Sequence, residues 1–239
     1  MSVPAKVAAF FDLDGTLLVP PSLEWRFLVW LLGRDEISGG NFGRWVAHGA
    51  KTALRDRRAA IEGNKLYLAG LPESLAADWM SSGEQNSPPY FVEGIARLTW
   101  HHAQRHRLFL VTGTLAPLAR AIVHRFAWPV EIIATEPEVF DGHWTGWLAG
   151  DHMSREAKAR SIRMLAAQHG LDLSECFAYG NHADDIPMLQ SFGRPVAVNP
   201  SWRLARAARM RRWQICRWHE SRTSNQIARA SQLAPKEAR

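Results

Sequence analysis

Cysteine is scarce: only Cys176 and Cys216 occur in 239 residues, and their spacing matches no metal or redox pattern such as C-x-x-C. A disulfide framework and a thiolate metal centre are therefore excluded, and two buried thiols are expected. Long hydrophobic runs are missing as well. The longest candidate, FLVWLLG at 27–33, is far short of the roughly 18 apolar residues a membrane span needs. The amino-terminal MSVPAKVAAFF offers one lysine and about five apolar residues before Asp12, too few for the apolar segment of a secretory signal. A cytoplasmic location is the expectation. Acidic residues are nearly absent from the end of the chain, where 203–239 hold ten Lys/Arg against two Glu. That segment carries +8 of the net +6, leaving the first 202 residues near −2. A solvated helix followed by a basic, flexible tail over 219–239 is expected there, with no nucleic-acid partner.

What is present is ample apolar material, 46% of the residues, enough for one sizeable core and a smaller accessory domain. Short apolar runs recur as KVAAFF (6–11), RLFLVT (107–112), VEIIAT (130–135), ECFAYG (175–180) and PVAV (195–198). Helical patterns lie between them at about 92–106, 115–127, 154–169 and 184–192. Such alternation predicts an α/β fold, a Rossmann-like, doubly wound parallel sheet covered on both faces, with ligands outside the carboxyl ends of its strands. The stretch from 19 to 88 breaks the alternation, because it is helix-like and rich in Trp, Leu, Ala and Arg. It is read as an inserted helical cap, leaving 1–18 and 89–218 as the core. EVFDGHWTGW at 138–147 has Asp141-Gly142 between strand-like residues and predicts a β-hairpin.

Four features fall at strand ends or open the following helices: DLDGT (12–16), VTGT (111–114), Lys158 and GNHADD (180–185). Residues two apart in a strand face the same way, so Asp12 and Asp14 leave the first strand toward one site. Two neighbouring carboxylates need a positive partner. Hard oxygen ligands that surround a cation incompletely suit Mg²⁺, which keeps waters and accepts a phosphate oxygen. Thr112, Gly113 and Thr114 offer a hydroxyl and backbone N–H groups at a strand-to-helix turn, a cradle for phosphate. Lys158 would add a positive charge, and Asn181 and Asp185 a second pair of oxygens for the metal.

The order and separation of these motifs over residues 6 to about 217 resemble the haloacid dehalogenase superfamily, in its phosphoserine-phosphatase-like branch with a helical cap. The hairpin before the lysine, AVNP at 197–200 and RRWQI at 211–215 are also similar to that branch. The resemblance implies a Mg²⁺-dependent phosphatase acting on a small phosphorylated metabolite. Asp12 would be the nucleophile that forms an aspartyl-phosphate, and Asp14 the acid and base, its backbone carbonyl also on the metal. Thr112 and Gly113, with Thr114 beside them, would hold the phosphoryl oxygens, and Lys158 would offset the shared charge. The metal ligands would be Asp12, Asp14 and Asn181, with Asp185 on the metal or one layer behind it. Where the family's fourth motif opens Gly-Asp, this chain has Gly180-Asn181, which removes one negative charge and lowers the expected metal affinity. A phosphotransferase using the same nucleophile, or a weakened binding protein, are the competing readings. The acidic residue that phosphoserine phosphatases carry soon after the first motif is not matched convincingly by Pro20, Pro21, Ser22 and Glu24. His101, His102 and His106 have no acidic or cysteine partner in sequence and are expected on a polar helix face.

Overall fold

The computed structural model describes residues 7–82, 88–126 and 128–220, apart from the side chains at 58, 59 and 61. After β1 (Ala8–Phe11) the described chain runs through the α-helices α1 (Leu23–Gly33), α2 (Gly39–Ala53), α3 (Arg57–Glu62) and α4 (Leu75–Ser81), with a 3-10 turn at Leu66–Leu68. It then enters α5 (Val92–Ala103), β2 (Arg107–Leu115), α6 (Ala116–Val123) and β3 (Glu131–Thr135). A hairpin follows, β4 (Pro137–Phe140) and β5 (His143–Leu148), and then α7 (Arg155–His169), β6 (Phe177–Gly180) and α8 (Ile186–Leu189). The last elements are β7 (Arg194–Val198), α9 (Trp202–Arg211) and β8 (Gln214–Cys216).

Six strands form one parallel sheet in the order β3-β2-β1-β6-β7-β8. The strand order reverses at β1, which places a crevice at the carboxyl ends of β1, β2 and β6. Period-two alternation sorts the strand residues into two cores. Ala9, Phe11, Leu108 and Leu110 join one cluster, with Ile95 of α5, Leu118 and Ile122 of α6 and much of the segment between β1 and α5. Ala8, Phe10, Phe109 and Val111 join the other, with Ile162 of α7, Met188 of α8 and Leu204 of α9. Rings bind neighbouring strands on each face: Phe10 stacks on Phe109 at 4.5 Å and Phe11 on Tyr179 at 4.4 Å.

The helices between β1 and β2 are seated on the first core rather than held apart from it. Phe27 of α1 lies 5.3 Å from the Trp79 ring and 6.0 Å from that of Trp144, which belongs to β5. The hairpin has the expected turn, with Asp141 at φ 48° and Gly142 at φ 72°. It docks onto the helical segment through Gly70 N–H to the Trp144 carbonyl at 2.7 Å and Trp144 N–H to the Leu71 carbonyl at 2.9 Å.

Several expectations need correction. The helix expected over 184–192 is a 3-10 turn at Ala183–Asp185 followed by the single turn of α8. Strand β2 continues three residues past Thr112, with a register shift against β3 between Val111 and Leu115. The edge strand β8 was not anticipated, since three residues are too few to show alternation. Cys216 lies on that edge and is only partly buried, whereas Cys176 is fully buried. His101 is fully buried instead of lying on a polar face. Its Nε2 meets the Tyr179 hydroxyl at 2.9 Å and its Nδ1 meets Nδ1 of His106 at 2.8 Å, so the histidines satisfy one another against the sheet. Burial and the neighbouring His106 hold His101 down to about 2, so it is neutral. The tail expected over 219–239 falls, beyond Glu220, outside the described residues.

Candidate active site

Asp12, Asp14, Thr112, Gly113, Thr114, Lys158, Asn181 and Asp185 all line one pocket of about 250 Å³ at the carboxyl edge of the sheet. Asp12 is fixed by extension of the sheet, its N–H donating to the Tyr179 carbonyl at 2.9 Å. Gly15 then reverses the chain at φ 80°. A Cβ there would lie 2.0 Å from Nδ2 of Asn181, so glycine is required both by the turn and by the approach of the fourth motif.

The positive partner of Asp12 is Lys158, in the first turn of α7. Its ammonium donates to Asp12 Oδ1 at 2.6 Å and to Asp185 Oδ1 at 2.8 Å, and the lysine is 4% exposed. Burial pulls the Lys158 pKa down, but Asp12 and Asp185 outweigh it and the net shift is upward, which keeps the ammonium charged. Burial raises Asp12, Lys158 opposes that, and the nearby Asp185 adds to the rise. The other oxygen of Asp12 accepts from the Thr16 hydroxyl at 3.1 Å.

Asp14 is held by groups other than Lys158. Its Oδ1 accepts the Leu23 N–H at 2.7 Å, at the start of α1, and its Oδ2 accepts the Thr114 hydroxyl at 2.5 Å. Burial raises its pKa and these two hydrogen bonds pull it back. The nucleophile-like carboxylate thus faces the lysine, while its neighbour faces the helical segment.

Thr114 departs from its sequence expectation, and Asp185 gains a definite set of partners. Thr114 was expected to offer free groups to phosphate, but its N–H donates to Thr112 Oγ1 at 3.1 Å and its hydroxyl is held on Asp14. Thr112 keeps its own hydroxyl hydrogen to give. Asp185 is expected on the metal or one layer behind it; its Oδ2 accepts the N–H groups of Asn181 at 3.1 Å and His182 at 3.0 Å, and its Oδ1 is on Lys158, so both oxygens are engaged within the protein. It positions the loop and the lysine. Gly180 permits this, because a Cβ there would lie 2.7 Å from that of Asp185.

The fit of a cation rests on the remaining oxygens. Asp12 Oδ2 and Asn181 Oδ1 converge on one hydroxyl, that of Thr16, at 3.1 and 3.4 Å. Among the described residues no three His, Cys, Asp or Glu side chains cluster as a metal site. A cation here would have one carboxylate, one amide oxygen and the Asp14 backbone carbonyl, a hard oxygen set that suits Mg²⁺ and no soft metal.

Residues the sequence did not single out close the pocket from above. Glu62, ending α3, accepts from the Ser154 hydroxyl at 3.1 Å and lies 3.6 Å from Nδ1 of His152. His152 stands against Gly113, where a Cβ would come within 2.9 Å of its ring. Burial, then the charge of Lys65, holds His152 down at about 4, so it is neutral near pH 7. His182 stays at the rim, 61% of its side chain exposed, paired with Asp184 at 3.1 Å. No motif marks Glu62 or His152, because they meet only when α3 folds over the loop before α7.

A sequence model of haloacid dehalogenase-like hydrolases matches residues 9–190. The chain belongs to the haloacid dehalogenase-like hydrolases. Within this family it is similar to a Mycobacterium tuberculosis protein named phosphoserine phosphatase, 31% identical over 235 residues, which span 95% of this chain and 76% of that protein. The crystal structure of a Bordetella pertussis protein of unknown function superposes with a TM-score of 0.69 at 27% identity, covering 88% of this chain and 98% of that one. A structure described as a phospho-aspartyl intermediate analogue of phosphoserine phosphatase shares the fold, with a TM-score of 0.58 at 19% identity over 90% of this chain and 95% of that one. This member of the family is a phosphatase of the phosphoserine-phosphatase-like kind. No helix among the described residues is long and apolar enough to cross a membrane.

Proposed function

We propose that the protein hydrolyses a small phosphomonoester through an aspartyl-phosphate on Asp12, with Mg²⁺ as cofactor and the helical segment 19–88 acting as a cap over the site. The observation that carries this reading is the Lys158 ammonium shared by Asp12 and Asp185 in the pocket that Thr112 and Gly113 also line.

In the first step an oxygen of Asp12 attacks phosphorus and the bond to the ester oxygen breaks. Asp14 gives its proton to the departing alkoxide; its raised pKa accords with such a role. In the second step water attacks phosphorus, its proton passes to Asp14, and the bond to Asp12 breaks to return the carboxylate and inorganic phosphate. Lys158 balances charge on Asp12 and the phosphoryl group throughout, and Thr112 with the Gly113 backbone orients the phosphoryl oxygens. Asp12, the Asp14 backbone carbonyl and Asn181 would hold Mg²⁺, which when bound supplies positive charge to the phosphoryl oxygens.

The test is phosphate release from a panel of phosphomonoesters with Mg²⁺ and with chelator, alongside acid-quench capture of phosphate on the chain. Label on Asp12 during turnover is the expected result. Turnover without any label on Asp12 would sink the covalent step.

A further inference from the structure

A second cavity, of about 760 Å³, opens inside the helical segment and adjoins the catalytic pocket. The two share Ser22, Glu24, Glu62 and His152 in their walls. Its far wall is apolar: Trp25 and Leu28 from α1, and Trp45, Val46, Ala50 and Ala53 from α2. The size falls within the range of sites that enclose an organic ligand, and the lining is of the usual kind. Small residues at Gly49, Ala50 and Ala53 leave the space that larger side chains on this face of α2 would fill. Around its mouth, Trp25 is 55% and Val46 50% exposed, apolar surface that the described residues leave turned to water.

The neck between the two spaces is polar but already balanced. Glu24 Oε1 accepts from the Lys65 ammonium at 2.5 Å and from the Tyr67 hydroxyl at 2.9 Å. Lys65 and Tyr67 are 3% and 2% exposed. A carboxylate held by a buried ammonium has no charge left over for the ammonium of an amino acid, and an amino-acid side would leave the apolar space beyond it empty.

We propose that the substrate is the phosphate monoester of an alcohol with an extended hydrocarbon part, the phosphate at Asp12 and the hydrocarbon in the cavity between α1 and α2. This rests on the phosphatase reading and specifies its leaving group. Transfer of each buried methylene from water would raise kcat/KM by about two- to fourfold, until the cavity is full.

The experiment uses n-alkyl phosphates from ethyl to decyl, below their micellar concentrations. The expected result is kcat/KM rising with chain length to a plateau, with octyl phosphate far above phosphoserine. A flat series, or phosphoserine preferred over octyl phosphate, overturns the proposal. Ala50→Phe, in an exposed position of α2, should cut the ratio of octyl to ethyl phosphate kcat/KM by about tenfold or more; an unchanged ratio overturns it. Calorimetry on Asp12→Asn gives a readout independent of turnover, with octyl phosphate binding at least about tenfold tighter than ethyl phosphate and with a negative heat-capacity change. Such binding without hydrolysis by the unaltered protein would defeat the phosphatase reading and leave the cavity assignment standing. Equal affinities would defeat the assignment alone. A dimer in sedimentation that Ala50→Phe dissociates would show the mouth covered by a second copy, and would also overturn it.

Discussion

The ammonium of Lys158 lies 2.6 Å from Oδ1 of Asp12, and both groups are buried at the carboxyl edge of the sheet. An acid at this position is tolerable in the fold because the cation is already in place, and the lysine takes only one of its oxygens, which leaves the other for the attack proposed above.

Replacing Asp12 by Asn should lower phosphate release by at least about 10³-fold while the fold survives, since the amide is isosteric but cannot attack phosphorus. Steady-state turnover and circular dichroism on the same preparation check this. Retained turnover would remove Asp12 as nucleophile.

Lys158→Met removes the cation and leaves Asp12 and Asp185 facing each other in a buried site. Breaking such a pair from one side costs about 3–5 kcal/mol. Urea unfolding should show a loss of that order together with loss of activity. A variant as stable as the parent would mean that the buried charges are compensated elsewhere.

Asn181→Asp adds a carboxylate where the donor set has an amide. The Mg²⁺ concentration for half-maximal activity should fall on the order of tenfold, since cation affinity follows ligand charge. Titration calorimetry with Mg²⁺ gives the same comparison without turnover. An unchanged affinity would place Asn181 off the metal.

Gly15→Ala should destabilise by more than about 1 kcal/mol, because φ is 80° and the new methyl would strike Asn181. The midpoint of urea unfolding checks it, and activity should fall in parallel as Asn181 is pushed aside.

Acid should weaken the fold through His101. Its folded-state pKa is held near 2, below the ordinary 6.5, so the unfolded chain takes up a proton first. The contribution is complete above pH 6.5 and drains as pH falls toward 2, by up to about 1.4 kcal/mol per unit. His101→Gln should flatten stability between pH 6 and 4 relative to the parent. An identical pH profile for parent and variant would contradict this.

The sheet was legible because its strands are continuous apolar runs set between helical periods, and the motif residues because they end such a run or, as Lys158 does, open a helix. The pairing of Asp185 with Lys158 was not, since a loop carboxylate and a helix lysine 27 residues apart carry no mutual signal in the chain. The same holds for Thr114, whose hydroxyl meets Asp14 across 100 residues, and for His101, whose burial depends on α5 lying against Tyr179. Short elements failed for a local reason, as three residues of β8 and one turn of α8 are too brief for a period to show.

Sequence alone determined which side chains reach the carboxyl edge, because strand alternation and turn residues act over a few positions. Tertiary structure alone decided which oxygens are free, since Asp185 is consumed by Lys158 and the loop amides while Asp12 and Asn181 converge on Thr16. It also decided the second cavity, whose walls come from separate helices that only packing brings together. The division is physical: periodicity is a property of neighbouring residues, whereas charge pairing and empty space arise only where distant segments meet.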